Sequence, residues 1–419
     1  MSRPEAAPSL DIDYVRAQFP AFEHPDSADW AFFENAGGAY AARPVVDRLA
    51  RFMVAAKVQP YGPSDPSEET GREMDRSHVR FAEALGVPAE TVMFGPSTSM
   101  NTYVLSMALR SMLAPGDEVI VTNQDHEANV GVWHRLAEGN SGFVVREWQV
   151  DPETGRLDTA GLDALLNERT RWVFVTHCSN LAGEIHDVRA LAERAHAAGA
   201  RIAVDGVSYA PHGLPNLAEL GVDAYYFSLY KTFGPHQGLL YVAPELLAEM
   251  PNQGHFFNAA SPGKRLTPAG PQHGEIACAG GVVDYLDALD RHHFAGSDAP
   301  LPERLARIKH LMAQHEAEQA ERILALLREK GVRIIGPDHA EPHRRAATIA
   351  FKSDTVANNT ISEHLRARQI ACGVSDFYAV RLIEAMGMSA EDGVVRLSLV
   401  HYNSPSEVDR LLAALDDVL

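Results

Sequence analysis

The stretch from residue 228 to residue 238 reads Ser-Leu-Tyr-Lys-Thr-Phe-Gly-Pro-His-Gln-Gly and places one lysine between an apolar run and a turn. The strand-like segment at 223–227 predicts a buried strand, and the Gly-Pro pair at 234–235 predicts a turn. A second apolar run upstream ends at Asp205. The sequence therefore predicts that Lys231 and Asp205 lie at the ends of two strands that follow one another in the chain.

A lysine and an aspartate in these positions suit the chemistry of pyridoxal phosphate. The lysine amine can form an imine with the cofactor aldehyde, and the carboxylate can keep the pyridine nitrogen protonated so that the ring accepts electrons. In this interpretation Lys231 is catalytic and Asp205 binds the cofactor. The plainer alternatives are a solvated surface lysine and an aspartate that caps a helix.

Composition narrows the class of protein. The chain has 419 residues and a formal net charge of −19, which disfavours nucleic acid and anionic membranes as partners, although solubility explains the charge equally well. No apolar window approaches the length of a membrane span, and the N-terminus lacks a signal peptide. The three cysteines, at 178, 278 and 372, show no paired spacing, and no histidine motif suggests a metal. We expect a cytoplasmic protein without a metal site.

The order of apolar runs predicts an α/β fold. Runs without in/out alternation, separated by helical patterns, indicate a mostly parallel sheet with helices on both faces. A long charged helix at 303–329, later strands and a closing helix at 405–418 indicate a smaller C-terminal α+β domain. We expect an N-terminal segment at 1–25 that packs with the small domain, a large cofactor-binding domain at 26–290 and a small domain at 291–419. The strands are predicted at 91–94, 118–122, 143–148, 172–176, 201–205, 224–227, 239–242, 332–335, 346–351 and 394–399.

Polar side chains follow several of these strands, where ligands bind in open α/β sheets. Ser97 and Thr98 open a helix after the first core strand and could bind a phosphate, or simply cap that helix. His126 could stack on a flat ring, or be a loop histidine. Asn180 could bond the phenolic oxygen of the cofactor, or be a turn residue. Each of these residues alone is moderate evidence for a cofactor site. Their order along the chain is more specific evidence than any one of them.

Two further runs complete the pattern: Phe-Phe-Glu-Asn-Ala-Gly-Gly at 32–38 and Val-Val-Arg-Leu-Ser-Leu-Val-His-Tyr-Asn at 394–403. Together with the lysine motif, they resemble the class V aminotransferase branch of the fold-type I pyridoxal phosphate enzymes, in particular the cysteine desulfurase and selenocysteine lyase group. The resemblance covers essentially the whole chain. It implies the fold-type I architecture, pyridoxal phosphate as cofactor, and a homodimer in which the loop at 255–275 reaches the partner.

The resemblance also implies a role for each matching position. Lys231 would carry the cofactor and act as acid and base at Cα, and Asp205 would pair with the pyridinium. His126 would stack on the ring as a second catalytic residue. Arg396 would clamp the substrate carboxylate, a task suited to its bidentate fork, with Asn35 beside it. The other cofactor contacts would be Ser97, Thr98, Asn180, Ser208, Ser228 and Tyr230.

Some positions depart from the family pattern. Ser208 stands where desulfurases have glutamine, Tyr230 stands where they have histidine, and Gly270 stands where they supply a threonine from the neighbouring subunit. The catalytic cysteine would be Cys372, but compared with the family pattern this residue stands several positions early, with Tyr378 near the cysteine's place. The alternative for Cys372 is a small buried apolar residue.

These observations leave different classes of function open. The favoured one is a pyridoxal phosphate enzyme that breaks the Cβ–S bond of a small α-amino acid, with transamination or epimerisation as the alternative. All of these reactions share removal of the Cα proton, so the cofactor residues cannot separate them. A catalytically silent sulfur-relay partner is a second class, against which Lys231, Asp205 and Arg396 argue. A nucleotide-binding enzyme is a third class, but the sequence lacks the glycine-rich motifs of such enzymes.

Overall fold

A computed structural model describes residues 9–139 and 142–419 of the chain, so the first eight residues of the predicted N-terminal segment lie outside the described part. Its strands are β1 (Ala31–Phe32), β2 (Val92–Gly95), β3 (Glu118–Thr122), β4 (Val144–Trp148), β5 (Thr170–Thr176), β6 (Arg201–Asp205), β7 (Ala224–Ser228), β8 (Gly238–Val242), β9 (Arg333–Ile335), β10 (Thr348–Lys352), β11 (Ile370–Ala371), β12 (Gly373–Ser375) and β13 (Val394–Ser398).

The helices alternate with these strands through the first half of the chain. They are α1 (Ile12–Ala17), α2 (Arg43–Arg51), α3 (Asp65–Leu85), α4 (Thr98–Arg110), α5 (Glu127–Glu138), α6 (Thr159–Leu165), α7 (Val188–Ala197), α8 (Leu217–Leu220), α9 (Pro244–Glu249), α10 (His273–Ala279), α11 (Gly281–His293), α12 (Leu301–Glu329), α13 (Asn358–Arg366), α14 (Val380–Ala385) and α15 (Pro405–Val418).

The largest sheet has seven strands in the order β2-β8-β7-β6-β5-β3-β4. Neighbours from β7 to β4 pair in parallel, whereas β8 runs antiparallel to both β7 and β2. Strands β3, β6, β7 and β8 are apolar and buried along nearly their whole length, as expected when helices cover both faces of a sheet. The mostly parallel sheet predicted from the sequence is therefore confirmed.

A second sheet of four antiparallel strands, in the order β12-β13-β10-β9, forms in the C-terminal part. Helices α12, α13 and α15 supply apolar side chains to the core on this sheet. The short strand β1 pairs in parallel with β11, so residues 31–32 reach across the chain to this C-terminal unit. The predicted α+β architecture of this part is observed.

Helix α1 and the residues directly after it contact both parts of the chain. Arg16 forms an ion pair with Glu407 at 3.0 Å, and Phe19 packs edge-on against Tyr402 and Tyr285. The predicted division between residues 290 and 291 falls inside helix α11, and it stays a prediction.

Within the described ranges, no helix has both the length and the apolar character that crossing a membrane requires.

Candidate active site

A cavity of about 270 Å³ opens at the carboxyl edge of the large sheet. Strands β3, β5, β6 and β7 run in parallel, so the residues that follow them meet at this edge. All nine cofactor residues predicted from the sequence line the cavity, whereas Asn35, Cys372 and Arg396 do not. The lining residues are Ser97, Thr98, Ser99, His126, Ala128, Thr176, Cys178, Asn180, Asp205, Val207, Ser208, Ser228, Tyr230, Lys231 and His236.

Lys231 lies in a single 3-10 turn (Leu229–Lys231) directly after strand β7. The turn is held by the Gly234 N–H, which donates to the Leu229 carbonyl at 2.8 Å. The lysine is only 8% exposed. Burial lowers the pKa of its amine to about 8, and the Arg396 charge adds to this effect while Asp205 opposes it. The amine therefore loses its proton far more readily than a surface lysine does.

Asp205 ends strand β6, where its Oδ1 accepts a hydrogen bond from the Val207 N–H at 2.8 Å. Burial raises the pKa of this carboxyl to about 6, against the opposing effects of that hydrogen bond and of Lys231. Burial, aided by the charge of Asp205, raises the pKa of nearby Asp125 to about 8. At neutral pH Asp205 therefore carries the negative charge, and Asp125 is protonated.

His126 caps the N-terminus of helix α5, and its Nδ1 accepts a hydrogen bond from the Ala128 N–H at 3.0 Å. Burial lowers the pKa of the imidazole to about 3, with further contributions from the charges of Lys231 and Arg396. The ring is therefore neutral, and because Nδ1 is an acceptor the proton lies on Nε2. Such a ring can lie against a flat cofactor without adding charge.

The opposite end of the cavity is formed by the start of helix α4. Ser97 caps this 13-residue helix, and the Thr98 hydroxyl lies 2.8 Å from that of Ser228. A side chain at Gly238 would collide with the Ser97–Thr98 backbone, so glycine allows β8 to approach the helix. Tyr230 stacks on His236 with ring centroids 4.8 Å apart. Free N–H groups and hydroxyls in this arrangement suit a phosphate.

Arg396, on strand β13, is buried behind the cavity rather than in its wall. Its Nη2 lies 2.7 Å from Oε1 of Glu34, and its Nη1 donates to the Asn180 carbonyl at 3.3 Å. The Phe377 ring lies 3.7 Å from the guanidinium carbon. The Asn180 amide donates to the Phe377 carbonyl at 2.9 Å, and its own Oδ1 has no protein partner in the described part of the chain.

Asn35, which the sequence assigned to the substrate carboxylate, has no free donor in this structure. Its Nδ2 donates to the Ser398 carbonyl at 2.8 Å and to the Phe32 carbonyl at 3.0 Å, and its Oδ1 accepts from the Tyr402 hydroxyl. These bonds fasten residues 32–38 to strand β13 and to the loop after it. The geometry therefore indicates that Asn35 positions this segment, and its assignment to the substrate carboxylate stays a prediction.

Cys372, the predicted catalytic cysteine, lies between the short strands β11 and β12 and packs against the core of the C-terminal part. Burial raises the pKa of its thiol to about 12, and the charge of Glu34 adds to the shift. The structure does not bring this thiol into the cavity. Tyr378 lies at the cavity mouth instead, 5.2 Å from the His126 ring, and is 68% exposed.

Several residues at the site have no role that the sequence alone predicted. Asp125 directly precedes His126 in the chain, and this neighbouring carboxyl was the available signal for it. His236 lies in the lysine motif at 228–238. Glu34 lies in the recognised run 32–38, but its pairing with Arg396 joins residues 362 positions apart. Phe377 gave no signal, because its contact depends on the packing of the turn that carries it.

The cavity fits each part of pyridoxal phosphate. The buried amine of Lys231 can bind an aldehyde, and the ionised Asp205 can face a protonated ring nitrogen. His126 offers a neutral flat face, and the hydroxyls at Thr98 and Ser228 with the free N–H groups of helix α4 can hold a phosphate. The unpaired Oδ1 of Asn180 leaves hydrogen-bonding capacity at the same wall.

The lowered pKa of Lys231 predicts how cofactor attachment depends on pH. Attachment requires the neutral amine, so its rate constant in cofactor-free protein should rise about tenfold per pH unit and level off above pH 8. Stopped-flow absorbance after mixing with pyridoxal phosphate measures this rate. A rate that keeps rising beyond pH 10, as for a solvated lysine, would contradict the assignment.

Comparisons with known proteins identify the family of this chain. The family model for aminotransferase class-V matches residues 31–264 and 305–411. The chain is 32% identical to the aminotransferase-like protein FGM3 of Gibberella zeae, over 98% of this chain and 99% of that protein. It is 29% identical to a cysteine desulfurase of Dickeya dadantii, over 96% of each chain. The apo structure of a cysteine desulfurase from Thermococcus onnurineus NA1 superposes with a TM-score of 0.84 at 22% identity, covering 99% of both chains.

The structural likeness confirms the predicted fold, the fold-type I architecture with a large mostly parallel sheet. The family match spans most of the chain and includes Asp205, Lys231 and Arg396. The chain therefore belongs to the class V aminotransferase family and is a pyridoxal phosphate-dependent enzyme.

Proposed function

We propose that this enzyme breaks the bond between Cβ and sulfur in a small α-amino acid. The observation that carries the proposal is the buried amine of Lys231, which shares one cavity with Asp205 and lies close enough to Arg396 for that charge to lower its pKa. An amine, a carboxylate and a guanidinium so placed can handle the amino group, ring nitrogen and carboxylate that such a reaction requires. Full-length similarity to cysteine desulfurases supports sulfur as the leaving atom.

Each residue has a distinct task in this proposal. Bound pyridoxal phosphate supplies a ring that accepts the negative charge developing at Cα. Lys231 takes the Cα proton, for which a pKa near the working pH is well suited. Asp205 stays ionised above pH 6 and stabilises the positive charge on the ring nitrogen. His126 keeps the ring in place, and Arg396 holds the substrate carboxylate.

The pKa values of the chain's thiols bear on where the sulfur goes after the Cβ–S bond is broken. All three cysteines are free, and burial raises the pKa of each thiol, to about 12 for Cys278 and Cys372. Such thiols stay protonated at neutral pH and are poor nucleophiles. We therefore propose that sulfur leaves to solvent rather than as a persulfide on the protein. Cysteine sulfinate suits this site, because its sulfur departs as SO₂, which water converts to sulfite, so that no acceptor thiol is needed.

Product analysis tests the proposal. The protein, loaded with pyridoxal phosphate, is incubated with L-cysteine or L-cysteine sulfinate, with and without a keto acid, and the products are identified by mass spectrometry. We expect alanine and sulfite in equal amounts from the sulfinate, at the same rate in the Cys372→Ser variant. Amino transfer to the keto acid without any sulfur product would instead make the enzyme an aminotransferase. Loss of sulfur release in Cys372→Ser would restore the persulfide role predicted for that residue.

Arg396→Ala should chiefly weaken substrate binding. Loss of a charged hydrogen bond costs about 1.5–3 kcal/mol, so KM should rise about 10- to 150-fold with a smaller change in kcat. Steady-state kinetics with the substrate identified above measure both constants. An unchanged KM would move the carboxylate site elsewhere.

We also propose that the enzyme is a cytoplasmic homodimer with domains at 26–290 and 291–419 and an N-terminal segment at 1–25. The free cysteines support a reducing compartment. Large apolar side chains that remain exposed support self-association, among them Val54 at 90%, Phe256 at 88% and Phe257 at 68%. Light scattering should give twice the mass of one chain, and a monomer at micromolar concentration would contradict the dimer.

A further inference from the structure

The residue assigned to the substrate carboxylate already holds a carboxylate of the protein. The side chain of Arg396 is 3% exposed, and its Nη2 lies 2.7 Å from Oε1 of Glu34. Nη1 is directed to the Asn180 carbonyl, and Nε is buried without a protein partner in the described part of the chain. Both parallel pairs of donors that this guanidinium can offer include Nη2, so a second carboxylate bound by two parallel bonds competes with Glu34 for that nitrogen.

The slot that holds the Glu34 carboxylate is built by two glycines. A Cβ on Gly37 would come within 2.7 Å of Oε1, and a Cβ on Gly373 would come within 2.5 Å of Oε2. The backbone of Glu34 forms a β-bridge with Ser398 on the strand of Arg396. The segment that carries the Glu34 carboxylate is therefore fixed relative to Arg396. The close approach of Glu34 to Arg396 thus depends on the absence of two side chains.

Glu34 is also the more exposed member of the pair. Its side chain is 25% exposed, whereas that of Arg396 is 3% exposed. Its second oxygen, Oε2, has no hydrogen-bond partner within the described residues. The guanidinium, in contrast, is held by Asn180 and covered by the Phe377 ring at 3.7 Å. Displacement therefore releases Glu34 toward solvent and leaves Arg396 where it is.

We propose that Glu34 is a built-in competitor for Arg396, which the substrate carboxylate must displace and which thereby sets the affinity of the site for α-amino acids. This inference rests on the proposed function only in assigning the substrate carboxylate to Arg396. While the site is empty, Glu34 keeps the buried guanidinium paired. When substrate binds, one carboxylate is exchanged for another, so the net gain in binding is smaller than for an unpaired arginine.

Binding of L-alanine, which has no leaving group at Cβ, tests the exchange in the cofactor-loaded enzyme. Isothermal titration should show that Glu34→Gln binds L-alanine about 3- to 30-fold more tightly than the wild type. Glu127→Gln is the matched control, because it removes the carboxylate of the residue after His126, which pairs with Arg135 and Arg381 and does not line the cavity. It should change the affinity less than twofold.

Gly37→Ala provides a second variant that keeps the charge of Glu34. Its new methyl group would push Oε1 out of the slot, so this variant should also bind L-alanine more tightly. Weaker binding in Glu34→Gln would overturn the proposal, because Glu34 would then position Arg396 for the substrate. An equal gain in Glu127→Gln, with none in Gly37→Ala, would also overturn it by showing a general charge effect.

Failure of the proposed function is distinguishable from failure of this inference. The titration involves no sulfur chemistry, so its result stands even if the enzyme proves to be an aminotransferase. Arg396→Ala reports on the carboxylate assignment alone: unchanged affinity for L-alanine would remove the premise and overturn the inference with it. Weaker binding in Arg396→Ala, combined with tighter binding in Glu34→Gln, is the result that we expect.

Discussion

Replacing Lys231 with alanine should abolish both turnover and the covalent attachment of pyridoxal phosphate. The buried amine is the group that binds the aldehyde and the group that moves the Cα proton, so the variant loses two functions at once. We expect kcat to fall by at least roughly four orders of magnitude, since acid–base catalysis alone contributes about 10²- to 10⁴-fold. Borohydride reduction followed by intact-protein mass spectrometry should detect the adduct in the wild type and none in the variant.

Lys352→Ala is the matched control for this substitution. Lys352 lies on strand β10, away from the cavity, and faces Asp392 at 3.7 Å. Its removal should leave the adduct and kcat unchanged, because an exposed ion pair contributes little. An adduct that persists in Lys231→Ala would mean that another lysine carries the cofactor, and the account of the site would then be wrong.

Asp205→Asn should lower kcat while the cofactor remains attached. The asparagine keeps the shape of the side chain but removes the charge that faces the ring nitrogen. A charged hydrogen bond contributes about 1.5–3 kcal/mol, which corresponds to a loss of about 10- to 150-fold in rate. Steady-state kinetics measure the loss, and the borohydride assay shows that attachment to Lys231 survives.

Asp125→Asn is the matched control for Asp205→Asn, because Asp125 is also a buried carboxyl and lies close to Asp205. Its raised pKa, about 8, means that it is already uncharged at neutral pH. The substitution should therefore change kcat only severalfold. Losses of equal size in the two variants would contradict the assignment of the negative charge to Asp205.

The sequence was most informative where function depends on the ends of consecutive strands. Lys231, Asp205 and Asn180 each follow an apolar run, and the parallel sheet brings such ends together whatever the details of packing. The predicted strand at 201–205 and the closing helix at 405–418 coincide with the observed elements. The nine predicted cofactor residues share one cavity for the same reason.

The parts that sequence could not predict depend on contacts between distant segments. Arg396 was expected to face the substrate directly, but Glu34 and Phe377 cover it through packing that no local pattern encodes. The Asn35 side chain is occupied by the Phe32 carbonyl, the Ser398 carbonyl on strand β13 and the Tyr402 hydroxyl. Phe377 and Tyr378 adopt positive φ values of 52° and 58°, a left-handed pair that propensity does not anticipate for aromatic residues.

The most direct test of Cβ–S cleavage at this site is the position of deuterium in the product formed in D₂O from L-cysteine sulfinate. Breaking the Cβ–S bond leaves an electron pair on Cβ that must be protonated from solvent, and Lys231 returns an exchanged proton to Cα. The account predicts alanine that carries deuterium at both Cα and Cβ, formed together with one equivalent of sulfite. Deuterium at Cα alone, with the Cβ–S bond intact in the recovered amino acid, would contradict it.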